Sequence, residues 1–549
     1  MITLDYNPKT RAFIVAVPRG SHDVKALMME HGLDFSTTAS VGDKAILFTR
    51  EPYAAAAFWE GATDAAKAEL GYIHREIEAS FANDAPACPV WTPPGKELWA
   101  FQRADISYAL KRKHVLVGDQ PGLGKTPIAI TFANTIEAKR ILVICPAAIR
   151  LQWAKRIREW SVMKWPYVVY PILRGQSGVH PTAQWTICSY ELARTPEIHR
   201  ALAAGKYDLL ILDEAHYLKT IDSQRTRAIF GGGDTPLPGT PLAECAERIM
   251  ALTGTPLPNR PREAYTLARA LCFDSIDWMS EDSFRSRFNP SVLVERHNPR
   301  SGRVSRYIDE RTGRHAELQS RLRANFMVRH LKRDVMPQLK LPVYDLIYVE
   351  ETTAVKAALK AESLLDIDPD NLSGADMAVL GDIATVRRQM GEAMAPQVAE
   401  YCRMLLNGGE EKLTLFAWHV GVMDILEREL SDFGVLRIDG STSTPQRSKR
   451  VQQFIDEPGQ RVMLGNVLSL GTGTDGLQQV CSHALIAEPS WTPGENIQCF
   501  DRLDRGGQTR TVQGDIFVAQ NSFAEKILAT ALRKLQTTDK ALDRRVASA

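Results

Sequence analysis

The stretch Val115–Thr126, V-L-V-G-D-Q-P-G-L-G-K-T, restricts the possible folds more than any other part of the chain. An apolar strand pattern runs into a glycine-rich turn that closes on Gly-Lys-Thr, so a strand, a tight loop and a helix must follow one another. Gly122 and Gly124 permit a turn whose backbone N–H groups cradle phosphate, and the following helix presents its positive end. Lys125 would reach the β and γ phosphates of a nucleotide, and Thr126 would hold Mg²⁺. Asp119 stands where the full pattern has glycine.

At 549 residues, the chain is long enough for two large domains and a smaller one. It shows neither a bilayer-length apolar run nor a signal peptide, so a cytoplasmic, nucleoid or nuclear protein with no membrane partner is expected. Eight cysteines lie apart with no C-x-x-C pair, which supports neither a zinc site nor a disulfide framework. A net charge of +2 means that any nucleic-acid surface must be a local basic patch.

Residues 1–90 read as a small α+β accessory domain, with strands at 12–17 and 45–49, a helix over 54–80 and a proline-rich linker at 85–95. From Leu98 an amphipathic helix carries Gln102 toward the phosphate loop, where its amide can pair with both edges of adenine. Apolar runs at 140–146, 185–190 and 207–213 alternate with helical patterns, as in a parallel sheet whose ligands bind at the C-terminal strand ends. The run at 207–213 ends in D-E-A-H. Asp213 suits the water shell of a metal, and Glu214 can orient and deprotonate an attacking water.

The segment 251–265, A-L-T-G-T-P-L-P-N-R-P-R-E-A-Y, begins as a strand, and its hydroxyl residues can sense the γ phosphate through Glu214. Residues 280–316 are arginine-rich and read as a flexible basic loop. After them, 321–335 read as a helix with one strongly cationic face, either solvated or on a DNA backbone. Further strands are expected at 412–417, 435–439, 462–464, 484–487 and 514–518, with no second phosphate loop. The block 498–510, Q-C-F-D-R-L-D-R-G-G-Q-T-R, puts Arg502 and Arg505 on one helical face, suited to stabilising charge on a transferring phosphoryl group.

These blocks, in this order, resemble superfamily-two helicase-like ATPases of the SWI/SNF type. D-Q-P-G-L-G-K-T is similar to that branch's D-E-M-G-L-G-K-T, and D-E-A-H-Y-L-K, L-T-G-T-P, F-M-V-R-H-L-K-R-D-V-M-P-Q-L and D-R-L-D-R-G-G-Q-T-R match further blocks. L-F-A-W-H-V, R-I-D-G-S-T-S and A-E-P-S-W-T-P-G-E-N-I-Q look most like the HARP-type annealing helicases. Asp504 and Gly506 depart from the His and Ile usual in the last block, and 469–477 is looser than its counterpart.

The resemblance implies an α/β protein of two tandem RecA-like parallel-sheet lobes with helical insertions. Their expected bounds are 91–345, with an insertion at 261–335, and 346–549, with a helical segment at 352–408; the small domain 1–90 precedes them. It implies ATP and Mg²⁺ as cofactors, Asp119, Leu123 and Gln508 as additional nucleotide contacts, and catalysis by Glu214, Arg502 and Arg505. The implied activity is a DNA-dependent ATPase that moves along duplex DNA and remodels or reanneals branched DNA, or displaces bound protein. Arg150, Ser189, Thr255, Ser441 and Thr472 are candidates for contacts with DNA phosphates, which carry no sequence information. A strand-separating DEAH-type helicase and an ATP-gated DNA clamp are the competing expectations.

Overall fold

The computed structural model describes every residue except 1, 19, 21–22, 42, 164–166, 176–177, 233–238, 258–259, 298–303, 311–312, 337–341, 365–376, 471–474, 491–492, 527 and 529–549. The described residues form two compact units, one of 2–119 and 125–330, the other of 120–124 and 331–528.

The first unit is built on a seven-stranded sheet. From edge to edge its strands are Met327–Val328, His114–Val117, Ala246–Leu252, Tyr207–Asp213, Ile141–Cys145, Trp185–Ser189 and Val169–Pro171, every neighbouring pair parallel. Parallel sheets are covered on both faces, which is why their strands read as unbroken apolar runs. Alternate residues divide between two cores: Leu142, Ile144, Leu210 and Leu212 enter one, Ile141, Val143, Leu209 and Ile211 the other. The strand expected to begin at 251 instead runs Ala246–Leu252, so the hydroxyl-bearing turn follows directly on its end.

Residues 3–49 form a separate four-stranded antiparallel sheet, in the order Thr3–Asn7, Ala12–Pro18, Lys44–Thr49, Asp34–Val41. The helix expected over 54–80 is broken. A short helix Pro52–Ala55 and a 3₁₀ turn Ala56–Gly61 precede the main helix Asp64–Phe81, because Thr63 caps that helix by accepting from the Ala66 N–H.

Two basic segments depart from expectation. Residues 280–316 contain a helix, Glu281–Phe288, and an antiparallel hairpin of Ser291–His297 with Val304–Glu310. The cationic stretch 321–335 is no continuous helix. It ends one helix, His315–Asn325, supplies the edge strand Met327–Val328 and forms a short helix, Lys332–Val335. Three of its four arginines are buried rather than arrayed on a surface: Arg321 is 0% exposed, Arg323 1% and Arg329 5%, while Arg333 is exposed.

Inside the first unit Arg321 is paired with carboxylates, while Arg323 and Arg329 are held by neutral oxygens. Arg321 reaches Glu51 at 2.6 Å, Asp277 at 2.8 Å and Glu317 at 2.9 Å, while Arg323 bonds to the carbonyl and hydroxyl of Ser80. Glu51 and Ser80 belong to the N-terminal region. That region is therefore joined to the seven-stranded sheet's surroundings by buried charges, and removing one partner of such a group is strongly destabilising.

The second unit carries a six-stranded parallel sheet in the order Val343–Tyr348, Gln513–Val518, His483–Ile486, Leu413–Ala417, Val462–Asn466, Val435–Ile438. The helices Thr353–Leu364 and Met377–Asn407 lie between its first and second strands in sequence.

Candidate active site

The strand His114–Val117 delivers the phosphate loop, and the helix Lys125–Thr135 continues from it. Gly122 (φ +87°) and Gly124 (φ +77°) adopt the left-handed conformations that glycine tolerates, which makes so tight a turn possible. The Lys125 ammonium donates to the carbonyl of Asp119 at 2.7 Å, holding the amine against its own loop. Thr126 is half-buried at the start of the helix, and Leu123 is fully buried.

Asp213 closes the strand Tyr207–Asp213. Its Oδ2 accepts from the Trp153 indole at 2.7 Å, its Oδ1 accepts from the Glu214 N–H at 3.0 Å, and the Tyr190 hydroxyl donates to its carbonyl at 2.8 Å. Burial pushes the carboxyl up and the Glu214 charge adds to the effect. The Trp153 bond and the Lys125 charge oppose them, and the balance is about 6. Lys125, Asp213 and Glu214 therefore share one electrostatic neighbourhood.

Glu214 sits at φ +53°, a left-handed conformation that costs a non-glycine residue about 1 kcal/mol. Strain of this kind concentrates at functional positions. The Glu214 carboxylate lies 3.2 Å from His216 Nδ1, which is also 3.0 Å from the hydroxyl of Thr253. Thr253 in turn accepts from the Thr255 N–H at 3.1 Å. The expected route from the hydroxyl-bearing turn to Glu214 is thus a contact chain through His216.

His216 was legible in D-E-A-H but not singled out, whereas Trp153 and Tyr190 lie in no recognised block. The donor set of Lys125 ammonium, Thr126 hydroxyl and Asp213 carboxylate has the chemistry to hold a nucleoside triphosphate with Mg²⁺. Glu214 is the second carboxylate in that neighbourhood.

Gln102 is buried, and its Oε1 accepts from the Trp99 N–H at 3.0 Å, capping its own helix. The Asp119 side chain faces the backbone N–H of His330, which it accepts at 2.8 Å. In the second unit Gln508 donates to the carbonyls of Cys481 and Leu503 and accepts from the N–H groups of Thr509 and Arg510.

Arg502 and Arg505 do not share a helical face. The helix Pro493–Phe500 ends before both, and tight turns such as Arg502 N–H to Cys499 carbonyl carry the chain onward. Arg505 Nε donates to the Asp501 carbonyl at 2.8 Å, and its Nη1 lies 3.4 Å from Asp475. The departure at Asp504 has a partner within the same unit. Lys332 Nζ contacts Asp501 at 2.6 Å and Asp504 at 2.7 Å, all three side chains being largely buried.

Of the DNA candidates, Arg150 donates to the carbonyls of Ala147, Ile172 and Leu173. Ser189 is buried and caps a helix by accepting from the Leu192 N–H. Ser441 is exposed, and its hydroxyl donates to Asp439 at 2.6 Å. Thr255 is half-buried, and Thr472 lies outside the described residues.

Comparison with known proteins agrees with this arrangement. Residues 101–355 match the SNF2-related domain family. The chain is 28% identical over 458 residues to the DNA annealing helicase and endonuclease ZRANB3 of Bos taurus, covering 82% of this chain and 41% of that protein. It is 29% identical over 448 residues to the SWI/SNF-related matrix-associated actin-dependent regulator of chromatin subfamily A-like protein 1 of Xenopus tropicalis, covering 78% and 43%.

The chain thus spans less than half the length of these curated relatives. Among solved structures, the SWI2/SNF2 ATPase core of Sulfolobus solfataricus in complex with dsDNA matches with a TM-score of 0.36 and 17% identity, over 82% of this chain and 97% of that one. Residues 101–355 thus match the SNF2-related domain family, and about four fifths of the chain is similar to the DNA annealing helicase and endonuclease ZRANB3.

Proposed function

We propose that this protein is a DNA-stimulated ATPase that moves along duplex DNA and remodels or reanneals branched DNA. The observation that carries the reading is the group formed by Lys125, Asp213 and Glu214 at the ends of parallel strands, with His216 linking Glu214 to Thr253. Lys125 would balance charge on the β and γ phosphates, while Thr126 and Asp213 would hold Mg²⁺, which supplies electrophilic activation of the phosphoryl group. Glu214 would take the proton of the attacking water. Arg502 and Arg505 would stabilise charge on the transferring group.

The hydroxyl and histidine between Glu214 and the turn at 253–255 give a physical route by which nucleotide state could reach a DNA-gripping segment. The similarity to ZRANB3, a DNA annealing helicase and endonuclease, supports the choice of polymer and of remodelling over strand separation. The test combines ATP hydrolysis with and without duplex DNA, displacement of a triplex-forming strand, and unwinding of a forked duplex. Duplex-stimulated hydrolysis with triplex displacement and reannealing, but no net unwinding, is the expected result. Efficient fork unwinding would identify a strand-separating helicase, and DNA binding with negligible turnover would identify a clamp.

A further inference from the structure

Within the first unit, three buried side chains outside the nucleotide chemistry converge on one point. Asp105 comes from the helix Ala100–Leu110, Asp119 from the segment entering the phosphate loop, and His330 from just beyond the edge strand Met327–Val328. Both aspartates are 0% exposed and His330 is 4% exposed. His330 Nδ1 lies 3.1 Å from Asp105 Oδ1 and 3.3 Å from Asp119 Oδ1, and one donor atom from each residue falls within a 4.8 Å span.

The other ring nitrogen fixes the tautomer. His330 Nε2 lies 3.1 Å from the carbonyl oxygen of Ala82, an acceptor only, so Nε2 carries the proton. In a neutral ring Nδ1 then points a lone pair toward two carboxylates. Such an arrangement requires a cation, either a proton on Nδ1 or a metal ion between the three donors.

The geometry favours the metal. Neither contact from Nδ1 has the direction of a hydrogen bond, as it would if a proton on the ring served one oxygen. Both Asp105 oxygens and Asp119 Oδ2 are also buried without a hydrogen-bond partner. Buried polar atoms are rarely left so, and an absent ion is one of the standard reasons. Bonds of about 2.0–2.2 Å in a tetrahedral site place donors about 3.3–3.6 Å apart, close to the observed separations.

A metal-bound histidine usually donates its second N–H to a carbonyl or carboxylate, the role that Ala82 fills. One imidazole and two carboxylates, with no thiolate, suit zinc or manganese better than calcium, which takes six or more oxygens.

We propose that Asp105, Asp119 and His330 bind one divalent transition-metal ion of the zinc or manganese class. The ion would be structural. It would tie the helix 100–110 and the end of the edge strand to Asp119, whose carbonyl receives Lys125, and so set the floor of the phosphate loop.

The test uses the full chain, free of nucleotide, stripped with a chelator, reloaded separately with Zn²⁺, Mn²⁺ or Co²⁺ and desalted. Metal content by mass spectrometry should be about one equivalent with at least one of these ions. Asp105→Asn and His330→Gln should each weaken retention about 10- to 100-fold, with circular dichroism showing that the isosteric Asp105→Asn protein remains folded. Reloading should raise the melting temperature of the parent but not of either variant, and bound Co²⁺ should give ligand-field absorption. Background metal in the parent after all three loadings would overturn the proposal in favour of a shared proton. Equal retention by the folded Asp105→Asn protein would overturn it in favour of binding elsewhere, for instance at cysteines.

Discussion

Where the strand Tyr207–Asp213 ends, in the first unit, two carboxylates stand beside a lysine amine, and one of them is held in a strained backbone conformation. Where the strand His483–Ile486 ends, in the second, the nearby acid Glu488 is occupied. It accepts from the N–H groups of Trp418 and His419 at 2.9 and 3.0 Å and contacts His419 Nδ1 at 2.7 Å. Both sheets are parallel, but among the described residues the strand-end acids differ: Asp213 and Glu214 share the neighbourhood of the Lys125 amine, whereas Glu488 is bonded to the backbone and side chain of residues 418–419. In the second unit, strand-end charge holds loops in place. A parallel sheet therefore offers a site without dictating its use, and the side chains at the strand ends decide.

The sharpest way to break this contrast is at Lys125. Lys125→Ala should lower ATP turnover roughly 1,000-fold or more, because a preorganised positive charge is lost where phosphate charge develops, while the melting temperature stays near that of the parent. Steady-state hydrolysis and thermal melting, measured together, check it. Substantial remaining turnover would remove the loop from the catalytic account.

The opposite pattern is expected at Lys332. Lys332→Met leaves Asp501 and Asp504 buried without their cation and should destabilise the protein by about 3–5 kcal/mol. Denaturant unfolding of this variant, and of the triple variant that also carries Asp501→Asn and Asp504→Asn, checks the point. The triple variant should recover much of the loss, and failure to do so would mean that Lys332 acts through packing.

Glu488→Gln should cost about 1–3 kcal/mol, since the amide cannot reproduce all three contacts. Its turnover per folded molecule should stay near the parent's, and a selective loss of turnover would give the second sheet a strand-end chemistry of its own.

The smallest effect is a pH dependence. Burial lowers the His483 pKa, but hydrogen bonds to Asp515 and Glu410 outweigh it and push the ring up to about 9. A group raised in the folded state stabilises fully below its ordinary value of about 6.5. That contribution is lost as pH rises through 9. Melting temperature should therefore fall by a few degrees between pH 6.5 and 9, and His483→Gln should flatten the fall.

The sequence spoke clearly wherever local chemistry and position coincide. The phosphate loop, the apolar strands and D-E-A-H are contiguous residues whose structure follows from neighbours in the chain, and the sheets form where those runs lie. It spoke poorly about long-range charge. Arg321 and Arg323 look like a cationic surface because Glu51 and Ser80, which they meet, are more than 200 residues away. The arginine-rich segment 280–316 was read from composition, which does not register the pairing of Ser291–His297 with Val304–Glu310. The edge strand Val343–Tyr348 was missed even though V-Y-D-L-I-Y is mostly apolar, and most of its residues are exposed. Asp504 looked like a defect in a motif until Lys332 was seen beside it.

The proposal that Arg502 and Arg505 stabilise charge during ATP hydrolysis is tested most directly by replacing each of them. Nucleotide affinity, DNA-stimulated turnover and melting temperature should be measured on Arg502→Ala and Arg505→Ala under saturating duplex DNA. Each variant should bind ATP nearly as well as the parent and melt near its temperature, yet turn over roughly 1,000-fold more slowly. A folded variant that hydrolyses ATP at close to the parent rate would contradict the claim for that arginine, and two such variants would leave the second unit without a catalytic part.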